Sequence, residues 1–346
     1  MAAESPETPD GRRLAVMEDV AAMAGVSAMT VSRVLNAPEK VRPQTRARVM
    51  AAVQALDYRP NTAARVLATG RSGVLGVVGF DTTLYGPAST LFSIEQAARE
   101  HDYTVSIVSL SSLNRRSIGE GVERLRGQSV DGIMVVAPHE SAAAGLRELP
   151  SGLPLVAVGA GADVPFPAVA VDHRAGAERA VRHLLSLGHE TVLHLAGPAD
   201  WVDAGGRVDG WRAALESAGR RAAPPPAGDW SARSGYEYGR QIVADPRVTA
   251  VFAANDAMAL GLLRALREAG RDVPGDVSVV GFDDVPEAAY FPPPLTTVRQ
   301  NFGEVGRRAF DLLLDRIGGS AAAGAPHRVV EPELVVREST GVPRGT

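Results

Sequence analysis

The chain of 346 residues contains no cysteine, which excludes disulfides, thiolate metal sites and thiol nucleophiles. It also lacks an apolar run of about 20 residues, the length that a membrane-spanning helix needs. The first 13 residues, MAAESPETPDGRR, have no apolar segment typical of a secretory signal, so we expect a cytoplasmic protein without a membrane partner. The seven histidines show no i,i+4 ligand pair, and no phosphate-binding loop or nucleophile elbow is present in the sequence. We therefore expect no metal, no cofactor and no enzymatic activity.

The net charge of −4 averages three unlike parts of the chain. Residues 1–10 carry three acids and no base, whereas residues 11–70 carry nine lysines and arginines against four acids. Residues 71–346 carry 27 bases against 33 acids. Positive charge is thus in excess in one segment only, which is the distribution expected if that segment alone contacts nucleic-acid phosphates.

Composition and apolar periodicity predict an all-α head followed by an α/β core. We expect a disordered tail at residues 1–13, a helical domain at residues 14–60, and a linker that ends with TGRSG at residue 73. Beyond it, Val-rich runs alternate with helix-length stretches, and seven runs are predicted to be strands: residues 74–80, 105–110, 133–137, 155–159, 192–196, 248–253 and 277–282. This alternation is typical of parallel sheets, and seven strands favour two doubly wound subdomains.

Residues 16–36, VMEDVAAMAGVSAMTVSRVLN, predict two short helices joined by a tight turn. Gly25 supplies the backbone freedom for the turn, and Ser27 can cap the second helix. The second helix would bury Val31 and Val34 and expose four residues: Ala28, Met29, Ser32 and Arg33. Such a helix-turn-helix can place its second helix in a major groove, although an ordinary helical hairpin has the same coarse pattern.

The string AxxAGVSxxTVSRVLN, followed by TRARV and LDYRPN, resembles the DNA-binding head of the LacI/GalR family of bacterial transcriptional regulators. One departure is Val16, which stands where the family has a capping threonine. The resemblance implies contacts to double-stranded operator DNA by nine residues: Ser27, Ala28, Met29, Thr30, Ser32, Arg33, Asn36, Thr45 and Tyr58. Hydroxyls can hold phosphates and Arg33 can donate twice to guanine, whereas Ala28 and Met29 can offer only apolar contacts to bases.

Residues 61–68, NTAARVLA, resemble the hinge helix of the same family, so residues 61–73 are predicted to comprise a hinge helix and a linker. Eight residues form a helix poorly in water because nucleation is costly, and pairing with a second copy on DNA would compensate. Asn61, Ala64 and Leu67 then become DNA contacts, with Leu67 inserted between base pairs in the minor groove. The alternative is that Leu67 belongs to the core of the head.

Residues 74–346 resemble the two-lobed regulatory core of the family, which is similar to periplasmic sugar-binding proteins. The matching motifs are HLLSLGH, LAGP, GDWS, ANDAMALG and VGFDD. They imply a small sugar effector bound by five residues: Arg207, Trp230, Asn255, Asp283 and Phe302. These side chains suit a polyol because they donate and accept hydrogen bonds and can stack on a sugar ring.

Each effector contact has a structural alternative. Arg207 could instead form an ion pair with Asp203 or Asp209, Trp230 could be a core residue, and the adjacent Asp283 and Asp284 could cap a loop. The sequence also departs from the family pattern, since Val136 and Gly159 stand where polar sugar contacts are expected.

The resemblance implies a repressor of sugar-utilisation genes that a sugar releases from its operator. The alternative is a sugar-binding regulator in which the ligand acts as co-repressor or the protein activates transcription. One head offers few base contacts, so we expect a homodimer on a pseudo-palindromic site. The segment VPRGT contains no leucine heptad, which favours a dimer over a tetramer. A transport protein with the same core fold would have no use for the head.

Overall fold

The computed structural model describes residues 15–36, 38–59, 70–112, 114–149, 154–161, 164–319 and 326–344. The chain divides into two units, residues 1–72 and residues 73–346. The predicted tail and the predicted hinge residues Asn61, Ala64 and Leu67 lie outside the described residues.

The first unit contains three α-helices within its described residues: α1 (Met17–Ala24), α2 (Ala28–Asn36) and α3 (Pro43–Ala55). Gly25 ends α1 with a left-handed φ of 61°, and the Ser27 hydroxyl caps α2 by accepting from the Thr30 N–H at 3.2 Å. Val16 has no side-chain acceptor, but its N–H donates to the Asp19 carboxylate at 2.9 Å. Asp19 therefore supplies the reciprocal half of a capping box, whereas the side-chain acceptor that a threonine would place at position 16 is missing.

The helices of the first unit enclose a small core. Val20, Val31 and Val49 are completely buried there, one from each helix. Tyr58 follows α3 and packs against the same cluster with 7 % of its surface exposed. Burial, reinforced by the negative charge of Glu18, raises the pKa of the Tyr58 phenol. Small residues at the α1 contact, such as Ala21 and Ala24, let the helices approach closely, as predicted.

The second unit is built from strands that alternate with helices. Its described strands are β1 (Val74–Phe80), β2 (Thr104–Leu110), β3 (Gly132–Val136), β4 (Leu155–Val158), β5 (Ala168–Val171), β6 (Leu193–Leu195), β7 (Ala250–Ala253), β8 (Ser278–Asp283), β9 (Thr296–Arg299), β10 (His327–Val330) and β11 (Glu333–Val335). Its described α-helices are α4 (Tyr85–Glu100), α5 (Arg115–Arg126), α6 (Glu140–Arg147), α7 (His173–Ser186), α8 (Val202–Ser217), α9 (Ala232–Ile242), α10 (Asp256–Glu268) and α11 (Phe302–Ile317).

The strands form two sheets, each the centre of one lobe. The N-terminal lobe has the order β10-β5-β4-β3-β1-β2 and is parallel throughout, whereas the C-terminal lobe has the order β11-β9-β8-β7-β6 with β11 antiparallel. The expectation of two doubly wound α/β subdomains is confirmed, and all seven predicted strands are present within a few residues of their expected bounds. The prediction missed β5, β9, β10 and β11, which are only three or four residues long.

The chain crosses between the lobes three times, after β5, after β9 and after β10. The second crossing returns α11 to the N-terminal lobe, where Phe310 and Leu313 are fully buried against its sheet. In the C-terminal lobe, Phe252 and Phe282 are buried between the sheet and α7. No helix within the described ranges is both long enough and apolar enough to cross a bilayer.

Candidate functional site

The exposed face of α2 carries most of the predicted DNA contacts. Met29 is 71 % exposed, and Ser27 and Arg33 are also exposed. The remaining described candidates on α2 and α3 are half-buried: Ala28, Thr30, Ser32 and Thr45. Asn36 is the last residue of α2, and its side chain lies outside the described atoms. The face can thus offer one long apolar side chain, hydroxyls and one guanidinium to a ligand.

Tyr58 differs from the other predicted DNA contacts because it is a core residue. Its ring stabilises the first unit by burial, which leaves little surface for an intermolecular contact. The sequence pattern placed Tyr58 at the DNA without revealing this packing role. A contact from its hydroxyl to a phosphate stays a prediction.

All five predicted effector residues line one open cleft of about 720 Å³ between the lobes of the second unit. Asp283 ends β8, Asn255 follows β7, and Phe302 begins α11 just after β9. Trp230 precedes α9, and Arg207 lies in the second turn of α8. Several of these positions are at the carboxyl ends of parallel strands, where ligands of doubly wound sheets bind.

Arg207 is 3 % exposed and its guanidinium is held on every side. Its Nη1 donates to the Ala254 carbonyl, and its Nε donates to His173 Nδ1 at 3.4 Å. Its Nη2 lies 3.8 Å from Asp283 Oδ1. The Phe282 ring lies under the guanidinium at 4.0 Å and the Trp230 ring lies at 5.2 Å. Arg207 therefore organises the base of the cleft.

The ion-pair partner of Arg207 is Asp283, and neither of the two alternatives considered from the sequence is its partner. Asp203 lies against His173, with 3.1 Å between Oδ1 and Nε2. Asp209 lies 3.4 Å from Arg212 on the outer face of α8. Because Asp209 is two residues from Arg207, it projects from another side of the helix.

Asp283 is the acceptor in this cluster. It accepts a hydrogen bond from Gln300 Nε2 at 2.6 Å, and its own backbone has a positive φ of 117°. Burial raises the pKa of the Asp283 carboxyl to about 6, although Arg207 and Gln300 act in the opposite direction. The next residue, Asp284, forms ion pairs with Arg299 at 2.7 Å and Arg337 at 2.6 Å. The Asp283 carboxylate thus belongs to the cleft, whereas the Asp284 carboxylate forms ion pairs that stabilise the fold.

Asp256 lies deeper and has no exposed surface. It accepts from Thr297 Oγ1 at 2.5 Å and from the Val285 N–H at 2.9 Å, so it ties α10 to β9. Burial and the nearby charge of Asp283 raise the pKa of Asp256 well above its ordinary value. Asp256 is therefore a structural carboxyl that supports the cleft without lining it.

Trp230 is both a core residue and a lining residue, so the two interpretations from the sequence are compatible. It is 7 % exposed and packs edge-on against Trp201 with 5.4 Å between ring centroids. A Cβ at Gly197 would lie 2.2 Å from the Trp230 ring, so glycine is required at that position. The buried indole Nε1–H has no hydrogen-bond partner within the described part of the chain. Trp230 therefore lines the cleft with its ring, while its N–H is a buried donor.

Asn255 has less free hydrogen-bonding capacity than the sequence suggests. Its Oδ1 caps α10 by accepting from the Met258 N–H at 2.8 Å, and its Nδ2 donates to the Trp230 carbonyl at 3.1 Å. One N–H and one lone pair remain for a ligand. Phe302 closes another side of the cleft and packs edge-on against Tyr85 at 5.8 Å.

The sequence pattern missed several lining residues, among them His173, Asp203, Trp201, Tyr85 and Gln300. The signal for Asp203 was available, because it precedes Arg207 by four residues and so shares its face of α8. His173 and Gln300 lie at the first and second lobe crossings, which only the sheet order reveals. Of these, His173 connects Asp203 with Arg207, and Gln300 donates to Asp283.

The two walls of the cleft differ in polarity. The N-terminal lobe contributes Val136, Val158 and Gly159, together with Leu84 and Pro87. The charged side chains among the described lining residues all come from α8 and β8 of the C-terminal lobe. Val136 and Gly159, the two departures from the family pattern, thus lie at the cleft, and its N-terminal wall carries hydroxyls of Tyr85 and Thr90 but no charged side chain among the described lining residues.

A short bridge joins the two lobes beside the cleft. The Val202 N–H donates to the Pro138 carbonyl at 2.8 Å, and the Glu140 N–H donates to the Asp200 carbonyl at 3.1 Å. His139 Nδ1 also lies 3.1 Å from Asp200 Oδ2. The bridge adjoins the residues that a ligand would touch. A change in the angle between the lobes would strain its contacts.

Comparisons with known proteins agree with both parts of this description. The family model for "Bacterial regulatory proteins, lacI family" matches residues 16–61, and the model for "Periplasmic binding protein-like domain" matches residues 181–340. The lactose operon repressor of Klebsiella pneumoniae is 37 % identical over 338 residues, covering 95 % of this chain and 93 % of the relative. The HTH-type transcriptional regulator CelR of Thermobifida fusca is 36 % identical over 341 residues, covering 95 % and 99 %.

Solved structures show the same relationship over nearly the whole chain. The Lac repressor dimer bound to operator and the anti-inducer ONPF superposes with a TM-score of 0.83 at 34 % identity, covering 95 % of this chain and all of that one. The CelR–cellobiose complex superposes with a TM-score of 0.68 at 34 % identity, covering 94 % and 99 %.

Proposed function

This chain belongs to the LacI family of bacterial regulatory proteins, and from that premise we propose that it is a repressor that a small sugar releases from operator DNA. One observation carries the proposal. The same chain combines a helix-turn-helix with an exposed reading face and a two-lobed core whose five predicted effector residues share one cleft. A repressor needs both parts, because the first binds DNA and the second senses the ligand.

The proposed DNA contacts are those implied by the family pattern. Met29 and Ala28 read bases by apolar contact, Arg33 donates to guanine, and the hydroxyls of Ser27 and Thr30 hold phosphates. The other proposed contacts are Ser32, Asn36, Thr45, Tyr58, Asn61, Ala64 and Leu67. A modest excess of positive charge in residues 11–70 means that affinity should require two copies and decrease strongly with salt.

The proposed effector is a neutral polyhydroxylated ligand. Arg207 and Asp283 form the polar base of its site, Asn255 adds a donor and an acceptor, and the rings of Trp230 and Phe302 pack against its apolar surface. The named relatives support this choice, since CelR is seen with cellobiose and the Lac repressor with ONPF. We propose binding and regulation, and no catalytic step, because the relatives named above are regulators.

Operation as a homodimer follows from the proposed DNA contacts. Two heads related by a two-fold axis would read two half-sites of a pseudo-palindrome. The Lac repressor neighbour is such a dimer on its operator, which supports the same assembly here. A protein that acts on chromosomal operators works in the cytoplasm, and we propose that location for this one.

The proposed mechanism couples the cleft to the DNA-binding unit through the angle between the lobes. Sugar binds both walls and favours one angle, which separates the two hinge segments of the dimer and weakens the contact with the operator. Linkage requires the operator to weaken sugar binding by the same factor as the sugar weakens operator binding. A factor of about 5–150 is typical of such coupling.

The test begins with selection of binding sites from random DNA by the full-length protein, followed by titration of mono- and disaccharides into the complex. We expect a two-fold-related sequence and a sugar that lowers DNA affinity at least tenfold. Arg33→Gln should abolish selection, whereas Arg99→Gln, a matched change at an exposed arginine of α4, should not. Tighter DNA binding with sugar would identify a co-repressor instead, and failure to select any sequence would contradict the DNA-binding proposal.

A further inference from the structure

Asp203 is a carboxylate of the cleft that the proposed sugar contacts do not use. It lies on α8 four residues before Arg207, so the two side chains share one face of the helix. Its side chain is 23 % exposed and lines the cleft. One of its oxygens, Oδ1, lies 3.1 Å from His173 Nε2. Asp203 is therefore partly desolvated but still accessible to a bound ligand.

His173 faces Arg207 with one ring nitrogen and Asp203 with the other. Its Nδ1 accepts from Arg207 Nε at 3.4 Å, which requires a lone pair on that nitrogen. The ring proton then sits on Nε2 and is donated to Asp203. His173 therefore contacts Asp203 as a hydrogen-bond donor.

Asp203 and Asp283 share the one guanidinium among the described residues that line the cleft. Arg207 is the single cation among the described lining residues, and it lies against Asp283 at 3.8 Å. Burial acts to raise the pKa of Asp203, but His173, Arg207 and His139 together hold it below its ordinary value. Among the described lining residues, carboxylates thus outnumber guanidinium groups by two to one.

Arg207 is already partly committed to internal partners. Its N–H groups are directed to the Ala254 carbonyl, His173 and Asp283, and the Phe282 ring lies 4.0 Å below the guanidinium. A bound carboxylate or phosphate would therefore compete with Asp283 for the charge of Arg207. The N-terminal wall offers no second cation among its described lining residues.

We propose that Asp203 is a specificity-determining residue that makes the cleft accept uncharged sugars and reject sugars bearing a carboxylate or a phosphate. This inference rests on the proposed sugar-binding function. An acidic ligand would meet a like charge in a partly dehydrated cleft, whereas a neutral sugar can donate a hydroxyl to the free side of the same carboxylate. A regulator with this selectivity responds to the neutral sugar and ignores its oxidised or phosphorylated products.

The test compares neutral sugars with their acids on the full-length protein by calorimetric titration. The probes are glucose with glucuronate and glucose 6-phosphate, galactose with galacturonate, cellobiose with cellobionate, and lactose with lactobionate. The variant is Asp203→Asn, which keeps an oxygen to accept from His173 but removes the charge. Asp209→Asn is the matched control, because Asp209 is on the same helix, 63 % exposed and paired with Arg212. Asp203→Ser provides a second uncharged variant if the amide disturbs folding.

We expect the wild-type protein to bind a neutral sugar at least tenfold more tightly than its acid, and Asp203→Asn to reduce that ratio by about tenfold. Asp209→Asn should leave the ratio unchanged. If Asp203 had a purely structural role, the Asp203→Asn variant would bind the sugar and the acid more weakly by the same factor. The ratio of the two affinities would then stay constant, and that result would overturn the inference. Equal binding of sugar and acid by the wild-type protein would overturn it too. Binding of none of the probes would instead contradict the proposed sugar effector, and this inference with it.

Discussion

Replacement of Arg207 by methionine removes the cation around which the base of the cleft is arranged while keeping a long side chain there. The variant loses the hydrogen bond to Ala254, the contact with His173 and the ion pair with Asp283. Two unit charges 3.8 Å apart attract by about 4 kcal/mol at an effective dielectric constant of about 20. Removal of one partner from a buried pair typically costs about 3–5 kcal/mol, so we expect a loss of that size in the free energy of unfolding at pH 8.

The loss should depend on pH because Asp283 titrates. Its pKa in the folded protein is about 6, above the ordinary value, so folding favours its protonated form. Protonated Asp283 contributes about 3 kcal/mol to the free energy of unfolding. The contribution is fully present below about pH 4 and is lost as the pH rises through 6. Without Arg207, which lowers the pKa of Asp283, that pKa should rise further. The loss of stability with rising pH should then continue to higher pH. The deficit of the variant relative to wild type should therefore be smaller at pH 5 than at pH 8.

Urea unfolding of the full-length protein, followed by tryptophan fluorescence at pH 5 and pH 8, measures both effects. The double variant Arg207→Met with Asp283→Asn should recover at least half of the deficit at pH 8, because the carboxylate that pairs with Arg207 is no longer left without its cation. An equal deficit at both pH values, with no recovery in the double variant, would show that the reasoning about this ion pair is incorrect. In DNA-binding assays Arg207→Met should still bind operator but no longer respond to sugar.

Three further substitutions test other parts of the molecule. Met29→Gln should change the preferred operator sequence in a selection experiment with little change in salt dependence, and an unaltered profile would remove Met29 from the base-reading positions. Leu67→Ala should reduce operator affinity and DNA bending while sugar binding is retained; unchanged bending in a gel assay would refute the proposed wedge. Gly261→Ala should destabilise the protein by about 1–3 kcal/mol or more, because the new Cβ would lie 1.8 Å from the Ala232 carbonyl oxygen where α9 meets α10. A melting temperature equal to that of wild type would contradict this last prediction.

The helical head and the seven Val-rich strands were predictable because their signals are local. Gly25 and Ser27 define the turn and the cap of α2 within a few residues, and a continuous run such as Val74–Phe80 can be stable only as a buried strand or helix. The four missed strands have no such signal. Residues Thr296–Arg299 form a strand because β8 and β11 lie on either side of them, not because their sequence is strongly apolar.

The sequence by itself determined the fold class, the family and the five effector candidates, which the fold then brought to a single cleft. Only the tertiary structure decided how those side chains use their hydrogen-bonding groups. Asn255 is largely engaged in capping α10, and Arg207 pairs with Asp283, although Asp203 is nearer in sequence. The reason is that His173, 30 residues away, is placed by the first lobe crossing between Asp203 and Arg207. Residue type and spacing specify which chemical groups are available, whereas the sheet order specifies which of them meet.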